Sequence, residues 1–326
     1  MHISILLLRL FTSTAHAHVG YVVGQEAFAQ HLGTDSTYFF SPLRESTNIL
    51  LICATIIGIF VLYFLAYRIT KIRTWIQTMR TTLDSYTEFI PWILRLSLGI
   101  ALMGASAAQV LISPTLPEAG FAVVQLGIGF ALLTGGLVVP AVLAGILLYV
   151  YALSHKLYLL GNLELLSALC SLLILGSARP GIDDLVGIPQ LTLRRLVRYV
   201  PTILRIGIGG ALTFLAIYEK VLNPHVSELV VQTFNLTQYI PVSASMWVFA
   251  VGMIELMVGL FLLIGFQTRL VSIIAFMVLV VTFFFFKEDV YSHVTLFGIL
   301  SVLMITGGGP VSLDRVFGKR RLATQS

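Results

Sequence analysis

The sequence carries very little charge for its length. Asp, Glu, Lys and Arg make up only 11% of the 326 residues, whereas 57% are hydrophobic and the mean hydropathy is +0.95. A soluble domain carries about 25% charged residues. Because a water-soluble core cannot hold this much apolar surface, the composition predicts an all-α polytopic membrane protein whose solvent is a lipid bilayer.

Cysteine and the common catalytic motifs are scarce or missing. The two cysteines, Cys53 and Cys170, lie inside apolar runs and form no CxxC pair, which excludes a thioredoxin-like or cysteine-zinc site. Both are interpreted as small buried hydrophobes. No Walker loop, dinucleotide fingerprint or GxSxG elbow occurs. The net charge of +5 comes from basic residues at the ends of apolar runs, so nucleic acid is not an expected partner.

The N-terminus has the features of a secretory signal peptide. A short apolar stretch precedes Ala15 and Ala17, which supply small residues at the −3 and −1 positions of a cleavage site. We therefore predict a signal peptide over residues 1–17 and an extracytoplasmic segment over residues 18–46. Cleavage after Ala17 makes His18 the first residue of the mature chain.

Nine apolar runs follow, each close to the ~20 residues that cross about 30 Å of hydrocarbon. They cover roughly 47–68, 94–112, 120–138, 139–158, 162–177, 202–221, 245–265, 269–286 and 291–306. With the mature N-terminus outside, the cytoplasmic loops and tail hold fifteen Lys and Arg residues and the outer loops only four. This positive-inside bias predicts a plasma-membrane protein with an extracytoplasmic N-terminus and a cytoplasmic C-terminus.

The chain also contains an internal repeat. ILRLSLGIALMGASAAQVLISP, from residue 93, and ILRIGIGGALTFLAIYEKVLNP, from residue 203, share Ile, Leu, Arg, Gly, Ala, Leu and Pro at a constant offset of 110. GFALLTG at 129–135 matches GLFLLIG at 259–265, now at an offset of 130. Because the matching blocks keep one order, the sequence predicts a duplicated unit of four helices.

The repeat defines the predicted organisation beyond the first helix. Two parallel four-helix units are expected, at 93–187 and 202–318. Two cytoplasmic linkers (69–92 and 188–201) and a cytoplasmic tail (319–326) complete the chain. The linker at 188–201 is either a short amphipathic helix on the inner leaflet or a charged tether.

The second unit resembles the DoxX family of membrane proteins. The resemblance rests on ILRIGIGGALTFLAIYEKVLNP, GMIELMVGLFLLIGFQTRL and HVTLFGILSVLMITGGGPVSLD, and it extends weakly to the first unit. It implies a four-helix membrane bundle. Because the family includes DoxD-type subunits of thiosulfate:quinone oxidoreductases, it also implies quinone-linked work beside redox partner subunits, with quinone as the expected cofactor.

Alignment of the two units draws attention to two acids. At the offset of 110 Glu219 corresponds to Gln109, and at the offset of 130 Glu255 corresponds to Gln125. An amide can bond between helices but cannot release a proton. This difference favours the second unit as the active one, because at these two aligned positions only the second unit carries an ionisable group.

Glu255 has two interpretations, a neutral acid that bonds between helices or a proton-transfer or quinone-contact residue. Its expected partners are Lys220, Tyr218 and His293, all toward the outer half of the second unit. Glu255, Glu219 and His293 are therefore the candidate catalytic residues. Lys220 and Tyr218 are the candidate quinone contacts.

The histidines beyond the signal peptide all fall on the predicted outer face or at outer helix ends. An N-terminal His18 offers its amine and imidazole as a chelate that suits copper, which makes it the one candidate metal ligand. Scattered surface histidines are the alternative, because no ligand spacing is present.

The leading functional hypothesis is a DoxX-like integral membrane subunit that supports a quinone-linked redox complex. One alternative is a small-solute, ion or metal carrier built on parallel repeats. The other is a non-catalytic membrane scaffold, which the amide at Gln125 favours.

Overall fold

The computed structural model describes residues 30–113, 116, 118–176, 180–188 and 192–316. The predicted signal peptide and His18 lie outside them. All regular structure in these residues is helical. The α-helices of eight or more residues are α1 Ser46–Arg68, α2 Thr70–Asp84, α3 Ile90–Ala107, α4 Ala122–Thr134, α5 Val138–His155, α6 Leu163–Leu175, α7 Val200–Leu215, α8 Pro224–Thr233, α9 Ala244–Ile264, α10 Thr268–Phe286 and α11 Val290–Thr306.

Shorter helical pieces join these elements. Two are α-helical, Ser36–Phe40 and Ile182–Leu185. The 3₁₀ pieces are Ser41–Arg44, Thr87–Phe89, Ala119–Phe121, Leu157–Asn162, Val197–Tyr199 and Leu236–Gln238. The seven residues Ala216–Leu222, directly after α7, form a π-helix.

Each predicted apolar run corresponds to a helix. Seven helices of the described chain are long and apolar enough to cross a membrane, and two more apolar helices, Ala119–Thr134 and Val290–Thr306, are shorter. The crossing helices are Ser46–Leu65, Thr87–Ala107, Val138–His155, Leu157–Leu175, Val197–Leu222, Ala244–Ile264 and Thr268–Phe286. The prediction of an all-α polytopic membrane protein is confirmed.

Two helices have no counterpart among the predicted runs. The basic stretch after α1 forms α2, and the loop after α7 contains α8. Both were missed because each is too short or too polar to cross a bilayer. The described part of the predicted linker at 188–201 shows turns and the 3₁₀ piece Val197–Tyr199, and its last two residues already belong to α7.

The helix α1 stands apart from the bundle. None of its apolar window is buried against the rest of the described chain, and Cys53 is exposed on it. The interpretation of Cys53 as a buried hydrophobe was wrong, because lipid rather than protein surrounds this helix. Cys170, on α6, is partly buried.

One end of the bundle is held by two buried arginines. Arg95 of α3 donates to the carbonyls of Leu132 at 3.0 Å and Pro180 at 3.1 Å. Arg205 of α7 donates to the carbonyl of Leu262 at 2.7 Å. Each guanidinium therefore ties the start of one helix to the far end of another. We call this the arginine end, and the opposite end the carboxylate end.

Two aspartates fix helix starts at the arginine end. The Asp183 carboxylate accepts from the backbone amides of residues 137 and 138, at 2.6 and 3.1 Å. Asp314 accepts in the same way from residues 267 and 268, at 2.7 and 2.9 Å. A carboxylate at a helix N-terminus satisfies amides that have no partner within the helix. These contacts set the start positions of α5 and α10.

The helices pack through small residues. A Cβ atom on Gly209 of α7 would lie 2.8 Å from the carbonyl oxygen of Gly259 of α9, so the two backbones touch. In the same way Gly207 of α7 leaves no room for a side chain beside Ser167 of α6, nor Gly298 of α11 beside Ser97 of α3. Small residues allow such close approach in membrane helices. The α7–α9 crossing positions the site described next.

Candidate functional site

The site begins where α7 changes to a π-helix. Residues Tyr218, Glu219 and Lys220 lie in this π-helix and all three are buried. A π turn is rare, carries one more residue than an α turn, and is frequent at functional sites. It brings two adjacent charged side chains into the interior.

Lys220 connects two carboxylates. Its Nζ lies 2.6 Å from Oε2 of Glu219 and 3.0 Å from Oε2 of Glu255, which is on α9. We call these three residues the carboxylate–ammonium cluster. Charges buried away from water are tolerated when they are paired, and removal of one partner is costly. Lys220 therefore holds α7 and α9 together at this end of the bundle.

Tyr158 completes the environment of Glu219. Its hydroxyl donates a hydrogen bond to Oε1 of Glu219, from the 3₁₀ piece Leu157–Asn162 between α5 and α6. Both predicted four-helix units thus contribute to the cluster. Sequence reasoning missed Tyr158 because it lies 61 positions from Glu219 and marks only the end of an apolar run.

The cluster opens into a cavity of about 470 Å³ between α7, α9, α10 and α11. The acidic and basic residues of its wall are Glu219, Lys220, Glu255, Glu288 and His293. Most other residues of the wall are Val, Leu, Ile and Phe. A cavity of this size with a few polar groups at one place suits a small amphiphilic ligand.

His293 shares the cavity wall with Glu219 and Glu255 but has another partner. Its Nε2 lies 2.7 Å from Oε2 of Glu288, and its Nδ1 lies 2.7 Å from Oγ of Ser292. Glu288, just after α10, therefore belongs to the candidate site although it was not among the predicted site residues. The structure brings Glu219, Lys220, Glu255 and His293 to one cavity.

Tyr218 lies elsewhere. Its ring stacks on Phe214, with centroids 5.8 Å apart and an angle of 11° between the ring planes. It does not line the cavity. Because the π-helix turns Glu219 and Lys220 toward α9, their neighbour Tyr218 points to the packed interior near Tyr158.

The amide that corresponds to Glu255 is saturated by backbone groups. Oε1 of Gln125 accepts from Ile112 N at 2.8 Å, and its Nε2 donates to Val110 O at 3.1 Å and Leu102 O at 3.3 Å. The chain after α3 thus covers the amide of Gln125, whereas Glu255 lines a cavity. Gln109 is exposed and donates to Ser106 O at 3.3 Å.

A buried acid also lies in the first predicted unit, away from the two aligned positions. Glu164, at the start of α6, is only 3% exposed, and Asn162 Nδ2 donates to its Oε1 at 3.2 Å. Glu164 does not line the cavity. The sequence comparison at offsets of 110 and 130 began from Glu219 and Glu255. It could not find Glu164, because neither acid aligns with that position.

A short segment, residues 35–44, crosses the carboxylate end; we call it the strap. Phe39 in it is 1% exposed and packs on Phe249 with ring centroids 5.2 Å apart. A Cβ atom on Gly252 would meet both Phe39 and Lys220. The strap thus lies one layer of side chains away from the carboxylate–ammonium cluster.

His225 fastens the strap. Its Nε2 lies 3.2 Å from Oδ2 of Asp35, and its Nδ1 lies 2.9 Å from Oε2 of Glu228. The hydrogen bond to Glu228 and the contact with Asp35 raise the pKa of His225 above its ordinary value. The Tyr38 ring, 4.6 Å from the imidazole, covers the pair.

No metal centre is formed by the described part of the chain. No group of three or more His, Cys, Asp or Glu residues there is arranged to hold an ion. The candidate ligand His18 lies outside the described residues.

Comparison with known proteins adds one match. Residues 200–288 match the DoxX family model, a range that contains Glu219, Lys220, Glu255 and Glu288 but not Tyr158 or His293. No curated protein and no solved structure matches the chain. The resemblance inferred from the sequence is thereby confirmed for this region, and the chain is a DoxX-like integral membrane protein.

Proposed function

We propose that this chain binds a quinone in the cavity and serves as the membrane subunit of a quinone-linked redox complex. The observation that carries the proposal is the position of the carboxylate–ammonium cluster in the wall of a largely apolar cavity inside a membrane bundle. A quinone has the matching form, an apolar ring and tail with two carbonyl oxygens that accept hydrogen bonds.

Access from the bilayer supports a lipid-soluble ligand. Ile254 of α9 and Val278 and Val281 of α10 line the cavity and are also exposed on the outside of the bundle. The cavity therefore reaches the lipid-facing surface between α9 and α10. A molecule dissolved in the membrane enters there without crossing water.

The residues of the wall have distinct roles in this proposal. The Lys220 ammonium and the Glu255 carboxyl are the groups that meet the quinone carbonyls, whereas His293 stays bonded to Glu288 in the same wall. Tyr158 and Glu219 hold Lys220 in place. Glu255 exchanges a proton with the bound head group, since reduction of a quinone to a quinol takes up two protons and two electrons. A partner redox subunit supplies the electrons. Tyr218, the tyrosine predicted to contact the quinone, has no role in this proposal because it does not line the cavity. The tyrosine that supports the cluster is Tyr158, through its hydrogen bond to Glu219.

The same proposal includes a tandem of two related four-helix units and a fixed orientation of the bundle in the membrane. The matching contacts of Arg95 and Arg205, and of Asp183 and Asp314, support two related units. The positive-inside bias supports a plasma-membrane protein with the arginine end in the cytoplasm and the site at the outer half. The partner subunit then meets the carboxylate end.

Extraction of lipids from the purified protein tests the proposal. We expect a quinone to co-purify, and to be lost when Glu255→Leu fills the polar end of the cavity with an apolar side chain. Lys156→Met is the matched control, because Lys156 lies at the same end but outside the cavity wall. Equal quinone in both variants, or none in the parent protein, contradicts the site. Solute uptake by proteoliposomes that depends on Glu255 favours a carrier instead.

A further inference from the structure

We infer that Glu255 is the protonated member of the carboxylate–ammonium cluster, so that the cavity offers a neutral O–H donor and selects uncharged amphiphiles whose head group accepts hydrogen bonds. The proton assignment stands on the geometry of the cluster alone. The choice of ligand class rests on the proposed function, because it concerns the same cavity.

The cluster holds two carboxyl groups and one ammonium group. The Lys220 ammonium lies within 3.0 Å of both carboxyl groups, so full ionisation leaves a net charge of −1 inside a membrane bundle. An uncompensated charge in such a medium is strongly unfavourable, and the group takes up a proton instead. His293, the other basic residue of the wall, is already engaged with Glu288 at 2.7 Å. The tyrosines near the cluster, Tyr158, Tyr218 and Tyr239, supply no positive charge.

The surroundings of the two carboxyl groups decide which one is protonated. The side chain of Glu219 is fully buried, and both of its oxygens accept, one from Tyr158 and one from Lys220. Donors on both oxygens favour the ionised form. Glu255 receives Lys220 on Oε2, and its side chain is 20% exposed where it lines the cavity. Glu219 and Lys220 therefore form a neutral pair, and the proton lies on Glu255.

A neutral donor also stands at the aligned position of the first unit. Gln125, at the aligned position, is a neutral group of the same shape whose NH₂ donates to the carbonyls of Val110 and Leu102. A protonated Glu255 is likewise a neutral donor, but it faces a cavity instead of the chain's own carbonyls. A ligand carbonyl occupies the place that Val110 O holds in the first unit. Head groups with a full charge gain no counter-charge there, since Glu219 already neutralises Lys220.

Carbodiimide labelling tests the proton assignment, because a lipid-soluble carbodiimide reacts with protonated carboxyls. The protein is labelled in lipid nanodiscs at neutral pH and the modified peptide is identified by mass spectrometry. We expect the label on Glu255 and not on Glu219, and its loss in Glu255→Gln. Label on Glu219, or on both acids, overturns the assignment. If neither is labelled, the infrared carbonyl stretch of a protonated carboxyl decides: no difference between the parent protein and Glu255→Gln also overturns it.

Protection from the label tests the ligand class. A short-chain quinone, a methyl ketone, an amine and a carboxylate with tails of one length are added before the carbodiimide. We expect the quinone and the ketone to slow labelling at least tenfold and the two charged amphiphiles to leave it unchanged. Protection by the amine or the carboxylate overturns the neutral selectivity. If Glu255 is labelled and no quinone slows the labelling, the quinone proposal is refuted. The proton assignment is then still supported.

Discussion

Lys220, in the π-helix that ends α7, lies 3.0 Å from Glu255 on α9, and this contact joins two helices at the wall of an apolar cavity. The same ammonium lies 2.6 Å from Glu219. One ammonium group thus pairs with two carboxyl groups.

Replacement of Lys220 by Met should destabilise the protein. It leaves Glu219 buried without its cation, and loss of one partner of a buried ion pair costs about 3–5 kcal/mol. The double variant Lys220→Met/Glu219→Gln removes the stranded charge and should recover most of this loss. Denaturant unfolding in detergent micelles measures both. A double variant as unstable as the single one contradicts the charge-pairing account.

The close approach of α7 and α9 should make Gly209 intolerant of even one methyl group. A Cβ atom there would lie 2.8 Å from backbone atoms of α9, so Gly209→Ala should cost about 1–3 kcal/mol by overpacking. Gly127→Ala on α4 is the matched control, since nothing lies within 4 Å of its Cβ position. Alanine favours a helix over glycine, so the control should be neutral or stabilising. Equal melting temperatures for the two variants would show that the crossing is looser than described.

The strap should detach as the pH rises. The pKa of His225 is raised in the folded protein, first by Glu228 and then by Asp35, so its contribution is fully present below the ordinary value of 6.5. That contribution is lost as the pH rises through the raised pKa. The pKa of Asp35 is lowered, first by its hydrogen bond with Thr37. At low pH the Asp35–His225 contact is therefore lost only when the pH falls through that lowered pKa.

Hydrogen exchange of the amides in residues 35–44 measures this detachment, with rates corrected for the intrinsic pH dependence. We expect protection to fall above the raised pKa of His225 in the parent protein and to be low and independent of pH in His225→Gln. If His225→Gln leaves the pH profile unchanged, the packing of Phe39 alone holds the strap in place.

The sequence predicted the helices well because their signal is composition over about 20 residues, which the bilayer imposes. It also named Glu219, Lys220, Glu255 and His293, which line the cavity, since charged residues in apolar runs stand out. It did not name Tyr158. Tyr158 approaches Glu219 only through packing of α6 against α7, and no local pattern records that contact. The π-helix was equally invisible, because it inserts one residue without changing the apolar character of the run.

The misplaced predictions have physical causes as well. Tyr218 was grouped with its neighbours Glu219 and Lys220, but in a helix adjacent side chains point in different directions, and Tyr218 stacks on Phe214. Glu164 was overlooked as a buried acid because its position at the start of an apolar run is typical of an exposed helix end.

Titration of a single-tryptophan protein with a short-chain quinone tests the central claim most directly. Trp247 lines the cavity, and Trp75→Phe with Trp92→Phe removes the other two tryptophans. Quinones quench tryptophan fluorescence at contact, so binding in the cavity predicts saturable quenching in nanodiscs. Loss of a hydrogen bond of about 1.5 kcal/mol should weaken it roughly tenfold in Glu255→Leu, with Lys156→Met unchanged. Quenching that rises linearly with quinone and is equal in all three proteins would contradict a quinone site in this cavity.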